Sequence, residues 1–394
     1  MFSPNSKKCP CCDSHQYKPV CIVNDTPVYN TSVFFDEQSA RSIVRGDLDI
    51  RFCTNCGFIF NSAFDPDLPL YMEVYEETQG FSPTFRAFHE KLADDLIQRF
   101  DLNDKRILEI GCGKGEFLEL LCHDGRNFGV GFDPAFREDR HPDPSNSNLR
   151  FVTEFYRDGL DVSEFDFICC KMTLEHIPNV REFLASIVCG LNQGRAQLFF
   201  QVPEMQRILK DTAFWDIYYE HCSYFSVASL TSVFQKVGLV VEEVWTDYDN
   251  QYLMISALWN GEPHYTGSEV QVPDELNGLV GRFMKSQEDF RETWKSYFEN
   301  LKREGKSNVI WGGGSKTVAF VSFLGIEELV DGIVDINPYK QGTFIAGSGH
   351  KILSPLELQS IQPDVVVILN PIYLEEIKDL LTYYNLNPEL KPVT

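Results

Sequence analysis

Short apolar runs alternate with amphipathic stretches over most of this chain of 394 residues. The apolar run Arg106–Ile110 leads into glycines at alternate positions, a helical stretch opens at Glu116, and a further apolar run covers Phe128–Phe132. Strands that alternate with helices are typical of a parallel sheet covered by helices. The pattern therefore predicts an α/β sheet domain from about Lys105 to Trp259.

Two amphipathic helices are predicted outside that sheet. Ser82 and Pro83 form an N-cap and first-turn pair, and apolar residues at helical spacing continue to about Phe100. A longer helix is predicted over residues 273–304, where the following apolar residues recur every three, four or seven positions: Leu279, Phe283, Phe290, Trp294, Phe298 and Leu301. This second helix is expected to link two lobes.

The strand-to-glycine pattern starts again after the long helix. Predicted strands are Val309–Trp311, Leu329–Ile336 and Pro363–Leu369, and the last is continuously apolar, as in a strand buried on both faces. A second, smaller Rossmann-like domain is predicted. The predicted domains are residues 1–75, residues 76–262 and residues 263–394, the last comprising the linker helix and the second Rossmann-like domain.

Four cysteines near the N-terminus form two CxxC pairs, Cys9 with Cys12 and Cys53 with Cys56. Two intervening residues let both thiolates of a pair reach one tetrahedral ion, so the four predict a closed, structural zinc site. Cys11 could replace a neighbour as ligand. The alternative is a set of free buried thiols.

The charge balance excludes some partners. With 35 basic and 58 acidic residues the net charge is −23, which disfavours sequence-independent nucleic-acid binding because that requires neutralising phosphates. The sequence has no run of 18 apolar residues and no signal-peptide form at its N-terminus, so a cytoplasmic protein without a membrane partner is predicted. Whether it is a monomer or a homodimer is left open.

The first glycine turn predicts a cofactor site. Its pattern is Glu109-x-Gly111-x-Gly113-x-Gly115, and Asp133 ends the next strand, where a carboxylate can bind ribose hydroxyls. Glu109 would repel a phosphate but suits a cationic ligand. An adenosine-type cofactor is expected at this edge of the sheet.

These residues resemble motif I of the class I S-adenosylmethionine-dependent methyltransferases. The later run from Phe165 to Pro178 resembles the fourth strand and following loop of that family. The resemblance implies S-adenosylmethionine as cofactor, and it makes Lys171, at the start of this loop, a cofactor contact.

The second glycine turn, Gly312-Gly313-Gly314-Ser315-Lys316, is open to two interpretations. Its backbone amides could hold a phosphate, with Lys316 adding charge. Alternatively, the turn only packs a strand on a helix.

Four features in this order resemble the zinc-containing sugar C-methyltransferases that act on nucleotide-linked keto-deoxysugars. They are the CxxC pairs, motif I, a segment reading Tyr218-x-Glu220-His221-x-x-Tyr224-Phe225-Ser226, and a string from Asp335 to Gly342 that contains Asn337, Pro338 and Lys340. The resemblance implies that a base removes a proton next to a ketone and that the enolate takes the methyl group.

The same resemblance implies roles for individual residues. His221 would be the base, Glu220 would orient it or polarise the sugar, and Tyr218 could share the proton transfer. Tyr75 and His176 would line the catalytic pocket, although His176 could equally be a loop residue that only packs. The implied substrate-binding residues of the second Rossmann-like domain are Gly313, Ser315, Lys316, Asp335 and Lys340.

Other functions stay open at this point. The same scaffold could methylate oxygen or nitrogen of another carbohydrate or small metabolite, because the family's Gly-Gly-Ser turn is replaced here by Tyr248-Asp249-Asn250-Gln251-Tyr252. A nucleotide-binding protein without catalysis is disfavoured by the presence of both motif I and the Glu220-His221 pair. An oxidoreductase is disfavoured because the second turn lacks the full GxGxxG spacing.

Overall fold

The computed structural model describes residues 8–69, 75–140, 147–265 and 271–393. The strands are β1 (Tyr17–Pro27), β2 (Val33–Phe34), β3 (Arg45–Cys53), β4 (Ile59–Asn61), β5 (Arg106–Ile110), β6 (Phe128–Phe132), β7 (Leu149–Val152), β8 (Phe167–Lys171), β9 (Ala196–Pro203), β10 (Ser223–Tyr224), β11 (Val240–Asp247), β12 (Tyr252–Trp259), β13 (Asn308–Trp311), β14 (Gly332–Val334), β15 (Phe344–Ile345), β16 (Ile352–Leu353), β17 (Val365–Ile368) and β18 (Glu389–Pro392). The α-helices are α1 (Glu37–Arg41), α2 (Pro83–Phe100), α3 (Glu116–Leu121), α4 (Val180–Leu191), α5 (Met205–Lys210), α6 (Val227–Lys236), α7 (Asp274–Glu304), α8 (Ser315–Leu324), α9 (Leu358–Ile361) and α10 (Leu374–Tyr383).

The central sheet has seven strands in the order β11-β12-β9-β8-β5-β6-β7. Strands β5 to β9 run parallel, whereas β12 is antiparallel to both β9 and β11. From β5 the chain adds β6 and β7 on one side of β5, and then places β8 and β9 on the other side of β5. Ligands of open α/β sheets bind at such a reversal point. The predicted class I methyltransferase sheet is confirmed, and so are the helix that begins after Ser82 and the helix that begins at Glu116.

The C-terminal sheet is a second Rossmann-like unit. Its order is β16-β14-β13-β17-β18, and all its neighbouring strands are parallel. The prediction of one strand over Leu329–Ile336 was too long. A 3₁₀ turn ends at Leu329, and the Asp331 carboxylate accepts a hydrogen bond from the backbone N–H of Asn308 at 2.8 Å. The strand itself covers only Gly332–Val334 because Asp331 and its neighbours make these turn contacts instead.

The N-terminal sheet is completed by a strand from a distant part of the chain. Its order is β1-β3-β4-β10, and β10 begins two residues after His221. Strand β10 pairs with β4 through Ser223 opposite Phe60 and Tyr224 opposite Ile59. In addition, β15 of the C-terminal unit pairs with β2. Strand β10 and the separate two-stranded β2–β15 sheet therefore connect the N-terminal region to the other two units, while the domain limits given above stay predictions.

Helix α7 packs against several parts of the molecule, including β1, α5 and α8. Its buried face consists of Leu276, Leu279, Val280, Phe283, Trp294, Phe298 and Leu301. The Trp294 and Phe320 rings lie 5.8 Å apart, edge to face. The predicted helix over 273–304 is confirmed, and its apolar stripe is covered by protein. Among the described helices, none is long and apolar enough to cross a membrane.

A buried ionic cluster connects the two Rossmann-like units. Asp216 is 7% exposed, and one of its oxygens lies 2.6 Å from Arg207 Nη2 while the other contacts Lys316 at the start of α8. Although burial alone would raise it, the Lys316 and Arg207 charges hold the pKa of Asp216 below its ordinary value. The cluster joins the segment before Tyr218 to the second glycine turn.

We expect Asp216→Asn to lower the free energy of unfolding by about 3 kcal/mol, because Arg207 and Lys316 would lose their buried counter-charge. Urea denaturation followed by circular dichroism measures the change. The exposed Asp94 on α2 offers a matched control, since Asp94→Asn should change the free energy by less than about 0.5 kcal/mol. Equal losses in the two variants would contradict the assigned role of the cluster.

Candidate active site

A cavity of about 910 Å³ lies at the carboxyl ends of both parallel sheets. It is lined by the first glycine turn, the loop after β8, the segment around His221 and the second glycine turn. Sites of α/β proteins form at this edge because the loops and helix N-termini converge there. The two Rossmann-like units thus share one cavity.

The first glycine turn has a backbone conformation that requires glycine and leaves no room for a side chain. Gly111 and Gly113 have φ angles of +75° and +53°, which disfavour residues with a side chain. A Cβ atom at Gly111 would lie 2.0 Å from the Thr173 hydroxyl oxygen. The N–H of Gly113 donates to an Asp133 carboxylate oxygen at 2.9 Å, and Ala135 N–H donates to the other oxygen at 2.7 Å. Asp133 is thereby fixed beside the turn, and burial raises its pKa.

Two buried carboxyl groups face this end of the cavity. Glu109 is 2% exposed, and its Oε2 atom has no hydrogen-bond partner among the described residues. Glu77 Oε1 is also buried without such a partner in the described ranges. Burial raises the pKa of each group to about 7. Unpaired buried carboxyl oxygens of this kind suit a cationic or hydrogen-donating ligand.

Lys114, inside the glycine run, binds the segment of residues 75–77, called the covering segment below, next to the turn. Its ammonium donates to the carbonyl oxygens of Tyr75 and Ala135 at 3.1 and 3.0 Å, and to Glu77 at 3.1 Å. The covering segment is also joined to the C-terminal unit, because the Asn337 amide donates to Glu76 at 2.9 Å. These contacts place Tyr75 on the cavity wall.

Lys171 ends β8 and also lines the cavity. Its ammonium lies 2.9 Å from His89 Nε2 and 3.5 Å from the centre of the Phe117 ring. Burial lowers the pKa of Lys171 to about 8, although the Glu109 carboxylate acts in the opposite direction. The lysine therefore sits close to the glycine turn.

His221 and Tyr218 form a hydrogen-bonded pair in the cavity wall. The Tyr218 hydroxyl lies 2.8 Å from His221 Nε2, and His221 Nδ1 is buried without a hydrogen-bond partner among the described residues. Burial and the neighbouring His176 lower the pKa of His221 well below its ordinary value, and burial raises the pKa of Tyr218 well above it. The pair is thus a neutral imidazole beside a neutral phenol.

The carboxyl group beside His221 is not the one next to it in sequence. Glu220 does not line the cavity, and its Oε2 accepts a hydrogen bond from Thr31 at 3.1 Å, which connects it to the N-terminal region. Glu175 Oε1 instead lies 4.0 Å from His221 Nε2. The His176 ring packs edge to face on His221 at 4.8 Å between ring centres, and burial lowers its pKa to about 4.

The second glycine turn repeats the geometry of the first. The N–H of Gly313 donates to Asp335 at 2.8 Å, as Gly113 does to Asp133. Lys340 Nζ lies 3.9 Å from Asp335, and Ser315 reaches the Tyr218 hydroxyl. Lys316 contributes to the cluster with Asp216 described above. The turn therefore lies directly against the His221 segment.

Most of the residues singled out by the sequence meet in this cavity. Those that line it are Tyr75, Glu109, Gly111, Gly113, Asp133, Lys171, His176, Tyr218, His221, Ser315, Lys316, Asp335 and Lys340. Gly115, Glu220 and Gly313 do not line it. Gly115 precedes α3 with a φ of +84°, and a Cβ at Gly313 would lie 2.9 Å from Ile352, so both glycines serve the turns themselves.

Several cavity residues were missed by sequence reasoning. Glu77, Lys114 and Glu175 all line the cavity. Glu175 stands next to His176 in the sequence, and Lys114 stands between two motif glycines, so both were within recognised motifs. Glu77 carries no such signal, because its position depends on long-range packing. Gln251 and Tyr252, from the segment that replaces the family's Gly-Gly-Ser turn, also line the cavity.

The four N-terminal cysteines converge on one point. Cys9 and Cys56 sulfurs lie 3.6 Å apart, Cys12 and Cys53 sulfurs also lie 3.6 Å apart, and all four fall within 4.8 Å of one another. Sulfurs bound tetrahedrally at 2.3 Å would be separated by about 3.8 Å, so the set fits zinc. Cys11 is buried but is outside this group.

Two family models match the chain. A methyltransferase domain matches residues 85–244, and a C-methyltransferase C-terminal domain matches residues 275–387. The C-methyltransferase NovU of Streptomyces niveus is 26% identical over 392 residues, which covers 94% of this chain and 91% of that relative.

Other matches are shorter or less similar. The ubiquinone biosynthesis O-methyltransferase of Erwinia tasmaniensis is 26% identical over 101 residues, covering 24% of this chain and 41% of that relative. The magnesium protoporphyrin IX methyltransferase of Synechocystis PCC 6803, solved with bound S-adenosylhomocysteine, has a TM-score of 0.36 at 13% identity, covering 44% of this chain and 83% of that chain. The family models and the relative that spans nearly the whole sequence agree: the chain is an S-adenosylmethionine-dependent methyltransferase, and over nearly its whole length it is similar to a C-methyltransferase.

Proposed function

We propose that this enzyme methylates a carbon atom next to the ketone of a nucleotide-linked keto-deoxysugar. The observation that carries the proposal is the position of the His221–Tyr218 pair in a cavity shared by two glycine turns. An acid–base pair placed there would stand between the methyl donor on one unit and the sugar nucleotide on the other.

The first glycine turn is suited to S-adenosylmethionine, which supplies an electrophilic methyl group on a positively charged sulfur. Glu77, Glu109 and Asp133 make this end of the cavity acidic. The unpaired oxygens of Glu77 and Glu109 can accept hydrogen bonds or offset positive charge, and Asp133 can bind ribose hydroxyls. Lys171 would rest near the same ligand, between His89 and Phe117.

His221 would act as the general base. With its hydrogen on Nε2, donated to the Tyr218 oxygen, the ring keeps a free lone pair on Nδ1. Nδ1 would take the proton from the substrate carbon, and the electron pair of the broken C–H bond would remain on the sugar as an enolate. The carbon of the enolate would then form the bond to the methyl group.

Tyr218 would stabilise the negative oxygen of the enolate. A phenol that accepts the hydrogen bond from Nε2 keeps its own proton for donation to the substrate. Because the pKa of Tyr218 is raised by burial, this proton stays on the phenol at neutral pH. A donor fixed beside the developing oxyanion lowers the barrier because it needs no reorganisation during the reaction.

The nucleotide would bind at the second glycine turn. Three cations, Arg207, Lys316 and Lys340, and three carboxylates, Asp216, Asp335 and Glu376, line this part of the cavity. The local balance is 3 − 3 = 0 in a chain whose net charge is −23. A diphosphate is therefore better accommodated here than at the acidic end that suits the methyl donor.

We also propose that Cys9, Cys12, Cys53 and Cys56 hold a structural zinc ion. Four thiolates complete its coordination, so no position is left for substrate. The Cys53–Cys56 pair lies between β3 and β4, and β4 pairs with the strand that follows His221. The ion would thus stabilise the region that positions the catalytic segment.

Turnover of matched ketone and alcohol sugars tests the proposed substrate class. Purified protein is incubated with methyl-labelled S-adenosylmethionine and a panel of nucleotide-linked keto-deoxysugars, each beside the sugar whose ketone is reduced to an alcohol. We expect mass spectrometry to detect label only in ketones, since an alcohol does not acidify the neighbouring C–H bond. Equal labelling of ketone and alcohol would instead support methylation of oxygen, and labelling of neither would overturn the substrate proposal.

Glu109→Gln is expected to weaken S-adenosylmethionine binding by about tenfold, which corresponds to one hydrogen bond to a charged group. Binding of S-adenosylhomocysteine, whose sulfur is neutral, should weaken less. Isothermal titration calorimetry measures both ligands. The exposed Glu138→Gln variant makes the same charge change away from the cavity and should leave both affinities unchanged. Equal effects of Glu109→Gln on both ligands would contradict a contribution to sulfonium recognition.

A further inference from the structure

Glu175 is a buried carboxyl group that the reaction outlined above leaves without a role. The residue is 1% exposed and lines the cavity, and neither carboxyl oxygen has a hydrogen-bond partner within the described part of the chain. Burying a polar group without a partner costs stability. A group kept in this state beside a catalytic base calls for a functional explanation.

The backbone fixes Glu175 relative to His221. Glu175 lies in the short 3₁₀ turn after β8, and its carbonyl oxygen accepts a hydrogen bond from Cys222 N–H at 3.0 Å. One residue farther along, the Ser223 hydroxyl donates to the Ile177 carbonyl at 2.8 Å. These two hydrogen bonds join the two loops directly after His221, and Glu175 Oε1 lies 4.0 Å from His221 Nε2.

We propose that Glu175 is a positioning residue that stabilises protonated His221 from its Nε2 side. The inference rests on the proposed function. When Nδ1 takes the substrate proton, a C–H bond breaks, an N–H bond forms and the ring becomes a cation. The Glu175 carboxylate, 4.0 Å from Nε2, offsets that charge electrostatically, while the Nε2 hydrogen stays bonded to Tyr218. His221 returns to its neutral form by releasing the proton to solvent after product leaves.

Among the described residues, the two other carboxyl groups that act on Tyr218 already have partners: Asp216 pairs with Arg207 and Lys316, and Glu220 accepts a hydrogen bond from Thr31. The other ionisable groups that influence His221, or that Glu175 influences, are His176, Tyr218, Tyr252, Cys170, Cys222 and Lys316. The two histidines are neutral because burial lowers their pKa, and the phenols and thiols are neutral because burial raises theirs. Lys316 is the cation in this set, and Asp216 already balances it.

This environment gives the reaction a defined pH dependence. Burial raises the pKa of Glu175 to about 8. Above that pH the carboxylate is charged and can stabilise the imidazolium, whereas it becomes neutral as the pH falls. We therefore expect proton abstraction to slow as the pH falls through about 8, with an apparent pKa that belongs to the Glu175–His221 pair.

Hydrogen exchange at the substrate carbon measures this step without methyl transfer. Full-length protein is mixed with S-adenosylhomocysteine and a thymidine-diphosphate-linked 4-keto-6-deoxysugar in heavy water, and NMR follows loss of the proton next to the ketone from pH 6 to 10. We expect Glu175→Gln to slow exchange by about 10²-fold and to abolish the change of rate with pH near pH 8. Glu175→Asp should restore part of the rate and part of its pH dependence. Circular dichroism verifies that each variant is folded.

The control is Glu204→Gln, which also converts a buried carboxyl group to an amide but lies outside the cavity lining. It should keep the wild-type pH profile. The proposal is overturned if Glu175→Gln keeps the wild-type rate and profile while His221→Ala abolishes exchange. If His221→Ala also exchanges normally, or wild type does not exchange, the proposed function fails first and the inference with it.

Metal content provides an independent check. Ligand atoms of Glu175, His176 and His221 lie within 4.8 Å of one another, so a metal site is the competing explanation for the unpaired carboxyl group. We expect wild type and Glu175→Gln to hold the same number of metal ions per chain. Loss of one equivalent in the variant would overturn the assignment of Glu175 as partner of the base.

Discussion

Replacing His221 with alanine is expected to lower the rate of carbon methylation by about 10³-fold, within the range attributed to general bases. The Nδ1 lone pair that takes up the substrate proton would be gone, and the remaining Tyr218 has a pKa too high to replace it. Binding of S-adenosylmethionine should change little, because the first glycine turn carries that site. Single-turnover kinetics and calorimetry measure the two quantities separately.

The exposed His264 provides the matched control for this variant. His264→Ala should keep wild-type kinetics. A His221→Ala enzyme that methylates at a rate within about threefold of wild type would contradict a proton-abstraction role and would favour transfer to oxygen or nitrogen, which need no base at carbon.

Removing one zinc ligand is expected to have the largest effect on stability. Cys53→Ser should abolish binding of one zinc ion and unfold the N-terminal sheet, since structural zinc sites contribute about 10 kcal/mol or more to folding. Activity should fall as well, because β4 pairs with β10 and β10 begins two residues after His221. Elemental analysis and thermal unfolding measure metal content and stability.

Cys11→Ser separates the metal from general effects of cysteine replacement. Cys11 is equally buried but lies outside the four-sulfur cluster. This variant should keep the zinc ion even if it loses some stability through burial of a hydroxyl. Zinc loss from Cys11→Ser, or zinc retention in Cys53→Ser, would show that the ligand set is different.

The fold could be predicted well where local signals were strong. The glycine turns, the N-cap at Ser82 and the long apolar stripe of α7 each follow from nearby residues, and the structure confirms them. The strand around β14 was predicted too long, because the turn contacts of Asp331 with Asn308 are invisible in a local pattern. The pairing of β10 with β4 was also missed, since a two-residue strand has no signal of its own.

The candidate site was also predictable only where the residues lie within a local motif. Glu109 and Asp133 could be selected from the chemistry of a compact motif and His221 from the family resemblance, and all three line the cavity. The proposed contribution of Glu175 could not be predicted, because adjacency in sequence favoured Glu220, whose carboxyl group accepts a hydrogen bond from Thr31 of the N-terminal region. Glu175 reaches His221 only after two loops from different strands are tied together.

The position of the transferred methyl group tests the central claim most directly. The protein is supplied with S-adenosylmethionine carrying a carbon-13 methyl group and with a thymidine-diphosphate-linked 4-keto-6-deoxysugar, and NMR of the product identifies the atom bonded to the labelled carbon. The account predicts a bond to the ring carbon next to the ketone. A methyl group on an oxygen or nitrogen atom would contradict it.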